Sequence, residues 1–474
     1  VSGLPVLVID MDGTLLRSDL LFESFWSACG RDWRSPVPAA RALLRGRAAL
    51  KRCLAGMAAL DPATLPYDPA VIAYVDAWRE RGGRAALVTA GDQTLARLVA
   101  GHLGLFDEVH GSDGVRNLKG AAKAEFLGRR FAATGYAYMG DAWADLPVWQ
   151  KARRAITVNA PAALRARVEA LGREFEHLTT ASAAWRPYLD ALRPHQWLKN
   201  LLVFVPMLAA HRLDLAAAAP SLLAFAAFAL VASGAYVMND LVDLAADRAH
   251  PRKRTRPFAS GRVPIAHGTW MAVGLVLGGG AVAATVGPDF LLVVLAYVVV
   301  TAAYSSVLKR HAVVDICVLA GLYTLRLIAG GVATGISLSV WLLAFSIFFF
   351  LSLAAVKRHA ELVDNARRRQ SQPVGRGYHV DDLPLVSQMA IGSGYVSVLV
   401  LALYLTSPDV TELYAEPAML WGICPILLYW LSRMVMVAHR GGMHDDPIVF
   451  AVKDRTSWIC GGLVLGFATA GALW

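Results

Sequence analysis

The stretch NDLVDLAAD, Asn239 to Asp247, closes an apolar segment long enough to cross a bilayer and sets three carboxylates and an amide at its end. Charge there is expensive. An ionised Asp near hydrocarbon costs at least about 2.5 to 3.5 kcal/mol on insertion scales, so several within two turns point to a bound cation or a water-filled site. Asp243 and Asp247 follow Asn239 at steps of four, one face of an α-helix drifting by roughly 40° per step, and Asp240 lies beside that face. Hard oxygen ligands on one side suit Mg²⁺, which takes a few carboxylates, keeps waters and bridges to substrate phosphates. A polar helix end meeting the aqueous phase is the plainer reading of the same residues.

The rest of the chain bounds the choice. Of 474 residues 56% are hydrophobic and 17% charged, more apolar than an ordinary soluble domain, so most of the chain is expected in a membrane. The net charge is +10, but the arginines cluster beside apolar segments and not along an aromatic-interleaved groove. The positive-inside rule accounts for them, and no nucleic-acid partner is expected. Cys29, Cys53, Cys317, Cys424 and Cys460 have neither CxxC nor Cys/His spacing, which argues against a zinc site or a disulfide framework and for buried thiols. The N-terminus lacks a basic region followed by an apolar core and small-residue cleavage site, so no cleaved signal peptide is expected.

Residues 1–175 alternate short apolar runs (LPVLVID, RAALVTA, YAYMGDA, RAITVNA) with Ala/Arg/Leu helical stretches, the pattern of a parallel sheet covered by helices. Residues 176–192 form a linker. From 193 to 474 the pattern predicts an all-α polytopic membrane domain with nine spans, near 197–213, 218–243, 267–286, 289–308, 313–333, 338–360, 385–406, 417–438 and 456–474. The loops after the even-numbered spans hold Arg248, Arg252, Lys253, Arg254, Arg256, Arg262, Lys309, Arg310, Arg367, Arg368, Arg369, Arg376, Arg440 and Lys453; the opposite loops offer only Arg212. That asymmetry puts the N-terminal domain and the basic loops in the cytoplasm and Trp474 on the far side.

DMDGT, Asp10 to Thr14, follows an apolar strand, where α/β ligand sites form. Thr89 after RAALV, Lys119 in NLKG, and Asp141 and Asp145 in GDAWAD come later. In this order and context the four motifs resemble the haloacid dehalogenase (HAD) superfamily across roughly the first 175 residues, which implies a Rossmann-type α/β fold with a small helical cap from about 17 to 70. The resemblance makes Asp10 the nucleophile toward phosphorus and Asp12 the acid and then the base. Thr89 and Lys119 would hold phosphoryl oxygens, and Asp10, the Asp12 carbonyl, Asp141 and Asp145 would hold Mg²⁺. Asp12 favours phosphate monoester chemistry over dehalogenation.

The acidic helix end has companions on the same side: RPHQWLKN (Arg193 to Asn200), YSSVLKR (Tyr304 to Arg310), VVDICVLAGLYTLRLIAGG (Val313 to Gly331) and VKRHAELVD (Val356 to Asp364). A cytoplasm-facing cavity is expected to gather Asn239, Asp240, Asp243 and Asp247 as metal ligands with Lys199, Lys309, Arg326, Lys357 and Arg358. That combination suits a diphosphate leaving group, whose developing charge must be neutralised at low dielectric. NDLVDLAAD, the span count and YSSVLKR resemble the UbiA superfamily of intramembrane prenyltransferases from about residue 190 onward. One departure stands out: where quinone and haem prenyltransferases carry a second DxxxD, this chain has Lys357 and Glu361, one turn apart.

RPHQWLKN, LRLIAGG, KRHAEL and DDPIVFAVKDRTSW (Asp445 to Trp458) look like the decaprenyl-phosphate phosphoribosyltransferase branch. The resemblance implies 5-phosphoribosyl diphosphate as donor and a polyprenyl phosphate as acceptor. Arg326, Lys357 and Lys199 would orient phosphates, Tyr304 and Glu361 would contact the sugar or brace a lysine, and Asp446, Asp454 and Arg455 would close the mouth. It also implies one Mg²⁺ in each domain and a bacterial plasma (inner) membrane location. Transfer leaves a 5-phosphate, which a HAD phosphatase would remove, giving polyprenyl-phosphoryl ribose, a precursor of lipid-linked arabinose for the cell envelope. The alternative is a Mg²⁺-dependent aromatic prenyltransferase with an unrelated phosphatase. A transporter would require paired broken helices in repeated halves, and no such repeat is visible.

Overall fold

The computed structural model describes residues 4–114, 117–180, 184–368, 376–407, 410, 414–443 and 446–473; Arg369, Asp445 and the expected far-side end at Trp474 lie outside them. The chain packs as two compact units, residues 1–192 with 236–272, and residues 193–235 with 273–474.

In the first unit β1 (Val6–Ile9), β2 (Ala85–Asp92), β3 (Glu108–Ser112), β4 (Tyr136–Gly140), β5 (Arg154–Val158) and β6 (Glu174–Leu178) form a parallel sheet in the order β3-β2-β1-β4-β5-β6. Alternate residues of β1 enter two cores. Leu7 and Ile9 pack with Met11, Val71 and Trp78, while Val6 and Val8 pack with Tyr138 and Trp149. Burial on both faces makes such strands read as unbroken apolar runs, which is why β1, β2, β4 and β5 were legible. β3 and β6, EVHGS and EFEHL, were not, because edge strands keep polar, partly exposed side chains.

The strand order reverses at β1 and β4, so a crevice opens at their carboxyl ends, where α/β folds bind ligands. Between β1 and β2 the chain forms α1 (Leu20–Arg31), α2 (Pro36–Leu44) and α3 (Arg47–Met57), in the region expected to be a cap. The Asp19 carboxylate accepts the Leu21 N–H and starts α1.

Among the described residues seven helices are long and apolar enough to cross a membrane: Leu215–Val242, Ile265–Val286, Pro288–Ser306, Val314–Thr334, Val340–Arg367, Val380–Leu405 and Pro417–His439. Nine spans were expected. In place of the first is a 3₁₀ stretch, Pro194–Phe204, joined to the short helix Val205–Ala209, whose Pro206 has no N–H to give a continuous helical ladder. The ninth expected span coincides with the 19-residue helix Arg455–Leu473, which is not one of those seven. The helix carrying the acidic stretch ends at Val242. Asp243 (φ −90°, ψ 13°) interrupts the expected continuous face before Leu244–Ala249, although the Asp243 and Asp247 N–H groups still reach Asn239 and Asp243 carbonyls at 2.9 and 2.8 Å. The cysteines are mixed: Cys424 and Cys460 are buried, Cys29 and Cys53 half-buried and Cys317 exposed.

Gly330 marks a close approach in the second unit. A Cβ there would run into the Val203 carbonyl, so the helix Val314–Thr334 and the stretch Pro194–Phe204 touch backbone to backbone. Gly330→Ala is expected to destabilise the protein by about 1 to 3 kcal/mol through overpacking, read as a lower unfolding midpoint in detergent. Gly321 faces open space on the same helix, and its alanine variant serves as the control.

Candidate active sites

The crevice of the first unit gathers three of the carboxylates that the motifs named. Asp10 follows β1, and its Oδ1 accepts the Met11 N–H at 2.8 Å. Asp141 and Asp145 follow β4, and ligand atoms of Asp10, Asp141 and Asp145 all lie within 4.8 Å of one another. Three converging carboxylates repel, and a divalent cation is the partner such a set requires. Burial first, and then the charges of Asp10 and Asp145, push the Asp141 carboxyl up to about 7. Thr14 Oγ1 donates to Asp141 at 3.3 Å.

Asp12 accepts the Leu20 N–H at 2.8 Å, which ties it to the first turn of α1. Burial and then the Asp19 charge raise its carboxyl well above the ordinary range, an environment suited to a proton donor. Thr89 is fully buried; its Oγ1 accepts the Gly91 N–H at 2.9 Å, which leaves the hydroxyl hydrogen to donate elsewhere.

Lys119 is exposed, whereas Lys123, four residues on, is buried with Nζ 3.0 Å from Asp10 Oδ2 and 3.8 Å from Asp145 Oδ1. It also donates to Tyr138 Oη at 2.9 Å, and Tyr138 donates to Asp145 at 2.7 Å. The sequence reading missed Lys123, because only the packing of the helix Ala121–Arg130 turns it inward. Lys123→Met is expected to lower hydrolysis of a soluble phosphomonoester about 10² to 10³-fold, and Lys119→Met no more than about tenfold, measured at saturating substrate. Lys51 is a second missed cation: from α3 it donates to the Ala90 carbonyl at 2.6 Å and to Asn117 Oδ1 at 3.1 Å.

The acidic stretch also belongs to the first unit. Asp240 and Asp247 are buried and converge on Arg256 Nη1 at 3.1 and 2.6 Å, with Lys253 Nζ 3.9 Å from Asp247. Arg256 and Lys253 thus supply the positive charge that these two buried carboxylates require. Asn239 and Asp243 are half-buried beside them.

The basic residues belong to the second unit and divide into three groups. Asp446 accepts from Lys199 Nζ at 2.7 Å, Lys357 Nζ at 3.1 Å and Tyr323 Oη at 3.3 Å. Lys199 and Asp446 are nearly sealed, at 9% and 5% side-chain exposure, whereas Lys357 retains 27% and so keeps an open face. Arg326, expected to orient phosphate, is instead committed to protein: Nε donates to Asn200 Oδ1 at 2.9 Å, Nη2 to Tyr297 Oη at 2.8 Å and Nη1 to the Leu322 carbonyl at 2.6 Å. Burial at 4% exposure demands those partners.

The third group centres on Asp315, fully buried and paired with Arg358, with Arg376 at 3.1 Å and with Tyr304 Oη at 2.7 Å. Arg358 also pairs with Glu361, so Tyr304, Arg358 and Glu361 form one network about a carboxylate that the sequence reading left out. Lys309 is half-buried in the turn Leu308–Arg310. Elsewhere in the second unit an apolar cavity of about 530 Å³ is walled by Phe349, Trp430, Trp458 and Leu465.

A carboxylate-lined α/β hydrolase crevice, and an apolar helical domain furnished with buried acidic and basic clusters, define a membrane transferase joined to a hydrolase. Residues 201–450 match the UbiA prenyltransferase family and residues 7–150 match haloacid dehalogenase-like hydrolases. The chain belongs to the UbiA prenyltransferase family, carries a HAD-like domain ahead of it, and is an enzyme integral to a membrane.

An uncharacterised protein, y4nM, of Sinorhizobium fredii is 38% identical over 97% of this chain and 89% of its own length. The nodulation protein NoeC of Azorhizobium caulinodans is 40% identical over 61% of this chain and 93% of its own. A decaprenyl-phosphate phosphoribosyltransferase of Mycolicibacterium smegmatis is 45% identical over 56% of this chain and 86% of its own. Among solved structures, a UbiA homologue from Archaeoglobus fulgidus bound to GPP and Mg²⁺ covers 60% of this chain and 99% of its own at 16% identity, with a TM-score of 0.46.

Proposed function

We propose that the membrane domain, residues 193–474, transfers 5-phosphoribose from 5-phosphoribosyl diphosphate to a polyprenyl phosphate, and that the HAD-like domain, residues 1–175, then removes the 5-phosphate. The observation that carries this reading is the Lys199–Asp446–Lys357 cluster. The position of a second metal-binding carboxylate is taken by a cation with an open face, and a cation suits an anionic acceptor, not a neutral aromatic ring. Similarity to a phosphoribosyltransferase over most of that relative's length supports the same choice. The apolar cavity beside Trp430 and Trp458 is of a kind that holds an isoprenoid tail.

In the transfer, the bond from ribose C1 to the diphosphate oxygen breaks and a lipid phosphate oxygen bonds to C1, so diphosphate leaves with the bonding electrons. The acceptor is already anionic, and no strong base is needed. Mg²⁺ bound by Asn239, Asp240, Asp243 and Asp247 would neutralise the diphosphate, and in the crevice Mg²⁺ on Asp10, Asp141, Asp145 and the Asp12 carbonyl would shield nucleophile from substrate. Lys357 and Lys199 orient phosphates, and the Tyr304–Arg358–Glu361 network supports the sugar.

In the second reaction Asp10 attacks phosphorus, Asp12 gives its proton to the departing ribose 5-oxygen, and Asp12 then takes a proton from the water that hydrolyses the aspartyl phosphate. Lys123 and Thr89 hold the phosphoryl oxygens. The arginine-rich loops support a cytoplasmic side for both chemistries.

The test is to supply the purified protein with Mg²⁺, 5-phosphoribosyl diphosphate and a polyprenyl phosphate and to weigh the lipid product. Ribosyl lipid is the expected result. Phosphoribosyl lipid alone would assign the phosphatase another substrate, and the absence of both would move the transferase to prenyl diphosphate donors.

A further inference from the structure

The acidic stretch and its basic loop are packed into the phosphatase fold, not merely tethered to it. Glu23 of α1 is 1% exposed and grips Arg248, one residue beyond Asp247, through two hydrogen bonds of 3.0 and 2.6 Å. Ser18 Oγ donates to the same carboxylate at 2.6 Å, and Arg248 Nε donates to the Ala259 carbonyl at 3.1 Å. One guanidinium therefore ties α1 to both ends of the loop that carries Arg256, the partner of Asp240 and Asp247. Farther along α1, Trp26 Nε1 donates to Thr269 Oγ1 at 2.9 Å, and a Cβ on Gly30 would lie 2.8 Å from the Val242 carbonyl, just before Asp243. The first turn of the same helix holds Asp12 through the Leu20 N–H.

Charges are seldom sealed away unless paired, and a bidentate Arg–carboxylate fork fixes orientation as well as distance. Among the described residues the Glu23 and Arg248 side chains bond to Ser18, to each other and to the Ala259 carbonyl and to no group assigned to hydrolysis, so hydrolysis does not account for the pair. We propose that Glu23 is a positioning residue for the membrane reaction: through Arg248 it holds Asp247 and the loop 248–262 in register, and so lets the phosphatase domain support capture of the diphosphate donor. The phosphatase fold then has a second, mechanical role that its own chemistry does not require. The kinetic part of this proposal rests on the transferase reading above; the structural part does not.

The test compares the full-length protein with Glu23→Gln in detergent by hydrogen exchange and by transfer kinetics. Peptides covering 239–262 are expected to exchange at least about tenfold faster in the variant while peptides of β1 and β4 keep the parent's rates. The KM for 5-phosphoribosyl diphosphate is expected to rise about tenfold with kcat within a factor of about three, the split that loosened capture produces and a general loss of fold does not. Parent exchange rates across 239–262, or an unchanged KM beside faster exchange, would overturn the proposal. If the whole variant loosens, Arg248→Lys, which keeps the charge but loses the fork, is judged by the same two outcomes. A parent that makes neither phosphoribosyl nor ribosyl lipid would sink the transferase reading alone, because the exchange comparison still decides the clamp.

Discussion

Asp10→Asn is expected to stop the reaction sequence at phosphoribosyl lipid, heavier than the normal product by one phosphoryl group, and to slow hydrolysis of a soluble phosphomonoester by at least about 10³-fold. The amide has no anionic oxygen to attack phosphorus, and it removes one of three converging metal-ligand carboxylates. It also loosens the partner of Lys123, 3.0 Å away. Shape is conserved, so the fold should persist, and consumption of 5-phosphoribosyl diphosphate should continue. The check is the mass of the lipid product with donor consumption followed in the same reaction. Ribosyl lipid from the variant would take the nucleophile's role from Asp10.

Lys357→Met is expected to give the opposite phenotype: transfer reduced about 10² to 10³-fold, the usual loss when one preorganised donor to developing charge is removed, with hydrolysis of a soluble phosphomonoester unchanged. Lys357 is the member of its cluster with an open face, and Asp446 keeps Lys199 and Tyr323 when it is gone. No buried carboxylate is then stranded, so the loss should appear in turnover, not in yield of folded protein. Asp446→Asn separates the two effects. It leaves Lys199 and Lys357 to repel each other in a nearly sealed site and should lower the unfolding midpoint as well as transfer. Initial rates at saturating donor and acceptor, with thermal unfolding of each variant, distinguish these outcomes.

Both predictions begin from residues that local pattern exposed. Asp10 and Asp12 were legible because an apolar strand runs straight into DMDGT. Lys357 was legible because it stands where a carboxylate is expected. The partner lysine in the crevice was assigned to Lys119, but the helix Ala121–Arg130 turns Lys123 inward, and a difference of four residues is invisible until that helix is packed on the sheet. Arg326 shows a different limit. Its charge on an apolar helix suggested a ligand site, whereas Asn200, Tyr297 and the Leu322 carbonyl accept its hydrogen bonds.

The sequence by itself determined the two-part plan, the parallel α/β pattern of the first domain, most of the apolar helices and the motif carboxylates Asp10, Asp141 and Asp145 that converge in the crevice. Strand and helix periodicity, apolar length and short catalytic spacings are properties of neighbouring residues, and they survive in the linear chain. Only the tertiary structure decided which charges answer each other: Lys123 for Asp10, Asp446 for Lys199 and Lys357, Asp315 for Arg358, and Glu23 for Arg248. Glu23 and Arg248 are 225 positions apart, and nothing local marks either. The low dielectric of the interior makes such partners obligatory, while the folded path of the chain selects which residues they are.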